Sequence, residues 1–338
     1  MTRVHDGPVR VGLLGFGTVG SALADLLAAR PDLELGPVAV RDLDKPRRLA
    51  DPQRHLTTDP QAVIDGADVV VEVMGGVDVA TDAMLAALAQ DRPVVTANKA
   101  ALAERWEAFL PALHAGRIHF EAAVMAGTPA VLPVAGPLRG SAPTELHAIL
   151  NGTCTFVLQR LEEGVGYDAA VREAQDLGYA EADPTLDVGG IDAAHKLAIL
   201  ARLAVDPDLG WDRVRAATRG IDALTPAVVQ EAMEDGGKVQ LVGSLVHEDG
   251  AWAARVRPVY LPAGHPLEGR AGAALLYRGV GGEVLLTGPG AGGTETAAAV
   301  LGDVLAAAAG RPGPAPLAAP APAPRAARLD DLGEIDPA

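Results

Sequence analysis

The sequence predicts an α/β protein, with a doubly wound parallel sheet joined to a second domain of α+β type. Three observations predict it. Short β-branched runs alternate with Ala/Leu-rich helical stretches over the first 124 residues, the pattern of parallel strands linked by crossover helices. The alternation stops after Pro129, where strands and helices follow in mixed order. The core must be built from Ala, Val and Leu, because 49% of the 338 residues are apolar and only 3% aromatic; this is the usual filling of helix-covered parallel sheets.

Residues 9–14 (VRVGLL) read as a short buried strand, followed by the turn Gly15-Phe16-Gly17-Thr18-Val19-Gly20. An Ala/Leu helix then runs to about Arg30, where Pro31 stops it. Strands are expected near 35–40, 67–74, 93–97 and 117–124, with helices at 78–90 and 102–115 between them. Beyond Pro129, strands are expected at 144–151, 239–247, 252–259 and 283–287, and helices at 153–163, 168–177 and 190–204. The stretch 294–309 reads as a helix that returns to the first domain. The expected domains are therefore 1–129 plus 290–310, and 130–289. Residues 311–338, rich in Pro and Ala and acidic at the end, are expected to form a disordered tail.

Bulk properties exclude several functions. A formal charge of −16 opposes binding to nucleic acid, which needs clustered Lys and Arg, and opposes docking on an anionic membrane. The single cysteine, Cys154, cannot form an internal disulfide, and no apolar run reaches membrane-spanning length. The expectation is a soluble cytoplasmic chain that acts on a small molecule.

The glycine turn supplies the first chemistry. A G-x-G-x-x-G run that follows a strand and opens a helix is the Rossmann dinucleotide fingerprint. Gly15 permits the tight turn, Gly17 lets the backbone approach a pyrophosphate, and Gly20 allows close helix packing. The helix start offers unpaired N–H groups and the positive end of its dipole. About twenty residues on, the second strand ends in Val40-Arg41-Asp42-Leu43-Asp44-Lys45. Arg41, helped by Lys45, can pair with the 2′-phosphate of NADP, whereas Asp42 keeps the free ribose hydroxyl of NAD in play. NADP is the expected cofactor, with NAD possible.

The densest chemistry lies at 174–196. Gly189-Gly190 leads into a helix on which Asp192 and Lys196 stand at i and i+4, on one face. Glu181 and Asp187 sit on the preceding loop. Three carboxylates converging near one lysine suit a substrate that carries an ammonium group, and they hold the lysine charged. A charged lysine can give a proton to a carbonyl oxygen as hydride arrives. A solvent-facing salt bridge is the plainer reading of such a pair, but the apolar flank AHKLAILA predicts a buried helix.

With this stretch, the chain resembles homoserine dehydrogenases. The resemblance runs over almost all of 9–308, through GLLGFGTVG, VRDLDKPR, EVMGG (72–76), VVTANKAAL (94–102), EAAVMAGTP (121–129), ILNGTCTF (149–156) and GPGAGGTETAAAVLGD (288–303). It implies NAD(P)-dependent interconversion of L-aspartate 4-semialdehyde and L-homoserine, in the route to threonine and methionine. It implies that Lys196 is the general acid/base and that Lys99 assists where nicotinamide meets substrate. Glu181 would bind the substrate, with Asp187 and Asp192 ordering the site, and Gly178 and Gly292 would line the nicotinamide region. A structural monovalent cation, Na⁺ or K⁺, would sit near Glu121, held by its carbonyl or carboxylate and by the carbonyls of Val124, Ala126 and Thr128. A homodimer is expected from the resemblance alone.

Three departures from the family pattern stand out. Ala126 occupies a position where glycine is usual, Thr155-Phe156 replace a more familiar Asn-Tyr, and the chain ends soon after the returning helix. That last point leads to the expectation that no C-terminal ligand-sensing domain, and no threonine feedback through one, is present. Two residues invite other roles. Cys154 could act as a nucleophile in a phosphorylating semialdehyde dehydrogenase, but cysteine is also a common small buried hydrophobe. His195 lies about 100° around the helix from Lys196, which favours packing. A different NAD(P)-dependent reductase and a catalytically silent NADP sensor are the remaining alternatives.

Overall fold

The computed structural model describes residues 7–323 and 332–335. It divides into two compact units, Met1–Leu132 with Ala291–Pro316, and Pro133–Gly290 with Leu317–Ala338.

The first unit is built on six strands, β1 (Val9–Leu14), β2 (Leu33–Ala39), β3 (Leu56–Thr57), β4 (Val69–Glu72), β5 (Val94–Thr96) and β6 (Ile118–His119). All pairs are parallel and the order is β3-β2-β1-β4-β5-β6, the doubly wound arrangement that the alternation predicts. Val11, Leu13, Val71 and Val95 of the central strands are completely buried. Over them lie helices Thr18–Ala28, through Leu23 and Leu27, and Gly293–Ala308, through Ala297, Val300 and Val304. The returning helix therefore completes the core of the first unit.

Helix Pro60–Gly66 and strand β3 were not foreseen. The helix carried a readable start, since Asp59 accepts from the Gln61 N–H at 2.9 Å and Pro60 takes the first turn. The strand, two residues long, has no period to read. The helix expected at 102–115 begins earlier and is broken at Arg105, giving Lys99–Glu104 and Trp106–His114. The strand expected at 117–124 is only Ile118–His119; beyond it, Glu121 turns the chain into a helical turn at Ala122–Met125. The Asp303 carboxylate accepts the Glu121 N–H at 2.8 Å, so this N–H is no longer offered to a sheet.

The second unit holds an antiparallel sheet of β7 (Pro143–Ile149), β8 (Lys238–Glu248), β9 (Ala251–Leu261), β10 (Ala273–Gly279) and β11 (Gly282–Gly288), in the order β11-β10-β7-β8-β9. Strand β10, absent from the sequence reading, lies between β11 and β7. Helix Ile191–Ala204 packs on β8 and β9 and is buried from Asp192 to Ala204, as its apolar flank predicts. Helices Gly152–Glu162 and Tyr167–Asp176 follow β7.

The tail departs from expectation. Residues 311–323 run as an extended strap, with the Gly313 N–H bonded to the Gly116 carbonyl, Leu317 to Arg202, and the Trp252 indole N–H to Ala321. Glu334 bridges to Val259 on the edge of β9 and pairs with Arg255 and Arg257. Backbone hydrogen bonds to unpaired edges and carbonyls order these stretches although their composition reads as linker. The remainder of the expected disordered segment, 324–331 and 336–338, lies outside the described residues.

Candidate functional site

In the first unit the glycine turn closes the C-terminal end of β1. Gly15 has φ +104°, and a Cβ there would lie 2.8 Å from the Val73 carbonyl oxygen and 2.9 Å from the Met74 nitrogen, so only glycine fits. A Cβ on Gly20 would meet the Gly15 oxygen at 2.6 Å, which is close helix-to-turn packing. Gly17 is different: nothing lies within 4 Å of where its Cβ would be. It is the N-cap of helix Thr18–Ala28, no side chain caps that helix, and Phe16, Thr18 and Val19 complete the turn. A second helix starts beside it, since a Cβ on Gly293 would touch the Thr18 methyl at 2.5 Å, just after Gly292 at φ +127°. Open space at the second glycine and uncapped N–H groups at the helix start fit a pyrophosphate. Arg41 and Lys45 are both exposed beyond the end of β2.

At the same sheet edge, Lys99 opens helix Lys99–Glu104. The preceding residue, Asn98, caps it by accepting the Ala101 N–H at 3.0 Å and donates to the Gly76 carbonyl at 2.7 Å. Beneath it lies Glu72, fully buried, which accepts the Thr96 hydroxyl at 2.7 Å and the Met74 N–H at 2.8 Å. Burial pushes the Glu72 carboxyl up from its ordinary range, and these donors partly offset it. The sequence reading gave Glu72 no role; its place at the end of an apolar strand, in VVVE, was the available signal.

The Glu121 carboxylate is already committed. It accepts the N–H groups of Ala130 at 2.6 Å, Val131 at 2.8 Å and Leu132 at 2.8 Å. Most of that side chain's acceptor capacity is thus taken, which leaves main-chain carbonyls as the principal oxygen donors for a cation at this turn. Ala126 sits at φ +47°, backbone that glycine adopts freely, and Thr128 donates its N–H to the Met125 carbonyl. Asp303, buried behind Glu121, has its carboxyl pushed up to about 8 by burial.

In the second unit the charged residues of 174–196 meet the junction between β7 and helix Gly152–Glu162. Lys196 Nζ donates to the Leu150 carbonyl at 2.7 Å and to Asp192 Oδ2 at 2.8 Å, and its side chain is only 10% exposed. Asn151 donates to the same Asp192 oxygen at 2.9 Å and to Asp187 Oδ1 at 2.8 Å, while its own oxygen accepts the Cys154 N–H at 2.8 Å. This is a buried node, not a solvent-facing pair. Two of the three expected carboxylates belong to it, Asp192 in direct contact with the lysine and Asp187 joined through Asn151. Glu181 does not join them: its side chain is exposed and makes no hydrogen bond among the described residues, while its carbonyl accepts from Gln175. Gly178, at φ +77°, turns the chain after helix Tyr167–Asp176, and Thr153 fastens that loop through the Tyr179 carbonyl at 2.7 Å. Sequence reasoning missed Asn151; the signal was an N-cap residue in ILNGT directly after a strand.

Cys154 is completely buried. Burial, reinforced by the charges of Asp187 and Asp192, holds its thiol well above the ordinary range, the opposite of an activated nucleophile. His195 stacks on Trp211 with ring centroids 4.5 Å apart, as a packing residue does.

Comparison with known proteins bears on both units. The family model for the NAD binding domain of homoserine dehydrogenase matches residues 15–121, and the homoserine dehydrogenase model matches 129–305. The chain is 38% identical to the homoserine dehydrogenase of Corynebacterium glutamicum over 322 residues, covering 89% of this chain and 72% of that relative. The chain belongs to the homoserine dehydrogenase family.

It is accordingly an oxidoreductase acting on a CH–OH group, with a nucleotide cofactor domain. The homoserine dehydrogenase of Bacillus subtilis is 36% identical, with 88% of this chain and 72% of that relative covered. Among solved structures, the homoserine dehydrogenase of Thiobacillus denitrificans superposes with a TM-score of 0.82 at 35% identity, covering 89% of this chain and 73% of that one. A hyperthermophilic archaeal homoserine dehydrogenase in complex with NADPH gives 0.75 at 28% identity, covering 91% and 99%. Homoserine dehydrogenase architecture thus accounts for both sheets. Among the described residues, no helix is long and apolar enough to cross a membrane.

Proposed function

We propose that the chain interconverts L-aspartate 4-semialdehyde and L-homoserine in the route to threonine and methionine, with Lys196 as the general acid/base. The observation that carries this reading is the lysine's bonding. An ammonium has three N–H donors. Leu150 and Asp192 take two, and among the described residues nothing takes the third. That third proton is the one given to the aldehyde oxygen on reduction, and the neutral amine takes it back on oxidation.

A bound nicotinamide ring supplies or accepts the hydride. The glycine turn Gly15–Gly20 holds its pyrophosphate, with Gly178 and Gly292 lining the nicotinamide region. Arg41 and Lys45 bind the 2′-phosphate, so NADP is preferred over NAD; their exposure beyond β2 supports this. The exposed carboxylate of Glu181 takes the substrate ammonium, Asp187 and Asp192 order the lysine, and Lys99 assists from the start of its helix. The monovalent cation is proposed at the carbonyls of Glu121, Val124, Ala126 and Thr128. We also propose a homodimer.

The test is one set of assays: homoserine with NADP⁺ and with NAD⁺, followed by nicotinamide absorbance, on the unaltered chain and on Arg41→Ala. Reduction of NADP⁺ is expected, with KM for NADP⁺ rising at least about tenfold in Arg41→Ala and KM for NAD⁺ nearly unchanged. No absorbance change with homoserine would refute the reading.

A further inference from the structure

The dipeptide Leu150-Asn151, between β7 and helix Gly152–Glu162, touches every charged group of the lysine node. The Leu150 carbonyl takes one lysine proton. Asn151, only 5% exposed, commits both of its donors there: the two amide N–H groups are donated to carboxylates, Asp187 at 2.8 Å and Asp192 at 2.9 Å, and its oxygen caps the helix by accepting the Cys154 N–H. Two like charges would repel across this buried space, and each would favour protonation of the other. An amide offering one N–H to each is the neutral group that lets them stand side by side. Asp192 Oδ2 receives Asn151 and Lys196 together, so moving the amide moves the oxygen to which the ammonium is tied.

We propose that Asn151 is the positioning residue of this site: its amide aims Asp187 and Asp192, and through Asp192 sets the place and the electrostatic surroundings of the Lys196 ammonium. This rests on the reading of Lys196 as the proton donor. The other titratable groups facing the node are Asp187 on the turn Thr185–Val188, Cys154 on helix Gly152–Glu162, Asp222 on the loop after Ile221, and Tyr167 at the head of the next helix. None of them is itself substituted when residue 151 is changed, and of their side chains only that of Asp187 is hydrogen-bonded to Asn151, so a change in pH behaviour reports on Asn151 and the carboxylates it holds.

The position allows capping to be separated from carboxylate orientation. Asp and Ser both cap helices well. Asn151→Asp keeps the size and the cap but replaces two donors by a third carboxylate. Asn151→Ser keeps the cap and removes the bridge.

The experiment measures kcat and kcat/KM for homoserine oxidation from about pH 6 to about pH 10, with NADPH affinity and Tm alongside. For Asn151→Asp, kcat should fall at least about tenfold, while NADPH Kd stays within about twofold. The added negative charge favours the charged ammonium, so the pH at half-maximal oxidation should rise by about one unit. Asn151→Ser should also lose kcat, with a smaller displacement of the profile. Unshifted profiles in both variants, with losses that follow Tm alone, would overturn the proposal. Lys196→Ala separates the two ideas. If it stays active, the lysine reading falls and this inference falls with it; if it is inactive while the Asn151 variants keep the original profile, only the role of Asn151 is lost.

Discussion

The two units build their sites by opposite means. In the first, the cradle is made by leaving side chains out: a Cβ would press on backbone at both Gly15 and Gly20 and is simply missing at Gly17, where space stands open before an uncapped helix. In the second, the node is made by burying side chains that prefer water, with Lys196, Asp192 and Asn151 all buried and both Lys196 and Asn151 bonded to Asp192. Backbone N–H groups and a helix end suit a ligand that brings its own charge, because they offer partial positive charge at no cost in buried ions. A proton-transfer group has to be a side chain, and its burial is tolerable only inside a closed set of partners.

The largest expected effect breaks the second arrangement. Lys196→Ala should lower kcat by about a thousandfold, the scale of a general acid/base, while NADPH binding measured by fluorescence titration stays within about twofold. Loss of both together would mean that the node serves folding more than chemistry.

Next come two glycine substitutions that should part company. Gly15→Ala forces a side chain into positive-φ backbone against Val73 and Met74, so it should cost about 1–3 kcal/mol of stability, seen as a lower denaturation midpoint. Gly17→Ala meets no protein atom, so Tm should hold while NADPH Kd rises at least about tenfold. Equal Tm losses in the two variants would remove the case that Gly17 faces a ligand.

The smallest effect concerns the buried carboxyl behind Glu121. Asp303 is held at about 8 by burial, against an ordinary unfolded value of 3.8. Between these values the folded state binds a proton that the unfolded chain has released, so stability falls as pH rises through this window. Asp303→Asn keeps an acceptor for the Glu121 N–H and cannot ionise. Its Tm relative to the parent should therefore improve from about pH 6 to about pH 9. A difference that is constant with pH would show that Asp303 does not titrate in that range.

What could be read in advance follows from the same contrast. The glycine turn is a motif of six adjacent residues, and the strand before it and helix after it are its immediate neighbours, so sequence spacing carries its geometry. Asp192 and Lys196 were legible for the same reason, being four apart on one helix. Asn151 was not, because it meets Asp187 and Asp192 across 36 and 41 positions and only the end of β7 brings it there. Glu181 erred in the other direction, since closeness in sequence to Asp187 suggested a convergence that an exposed loop does not produce. The tail erred too: composition describes what a segment can bury, not whether edges such as β9 lack partners.

By itself the sequence determined the two sheets' elements in outline, the glycine turn and the helical pair of Asp192 and Lys196, because each is encoded by residues within a few turns of one another. Tertiary structure alone decided that two carboxylates and not three join the lysine node, only Asp192 touching the lysine, and that an asparagine from another element stands between them. It also decided that the Glu121 carboxylate is engaged by three backbone N–H groups. These depend on which distant backbone and side-chain groups burial brings within 3 Å, and short-range periodicity carries no record of that.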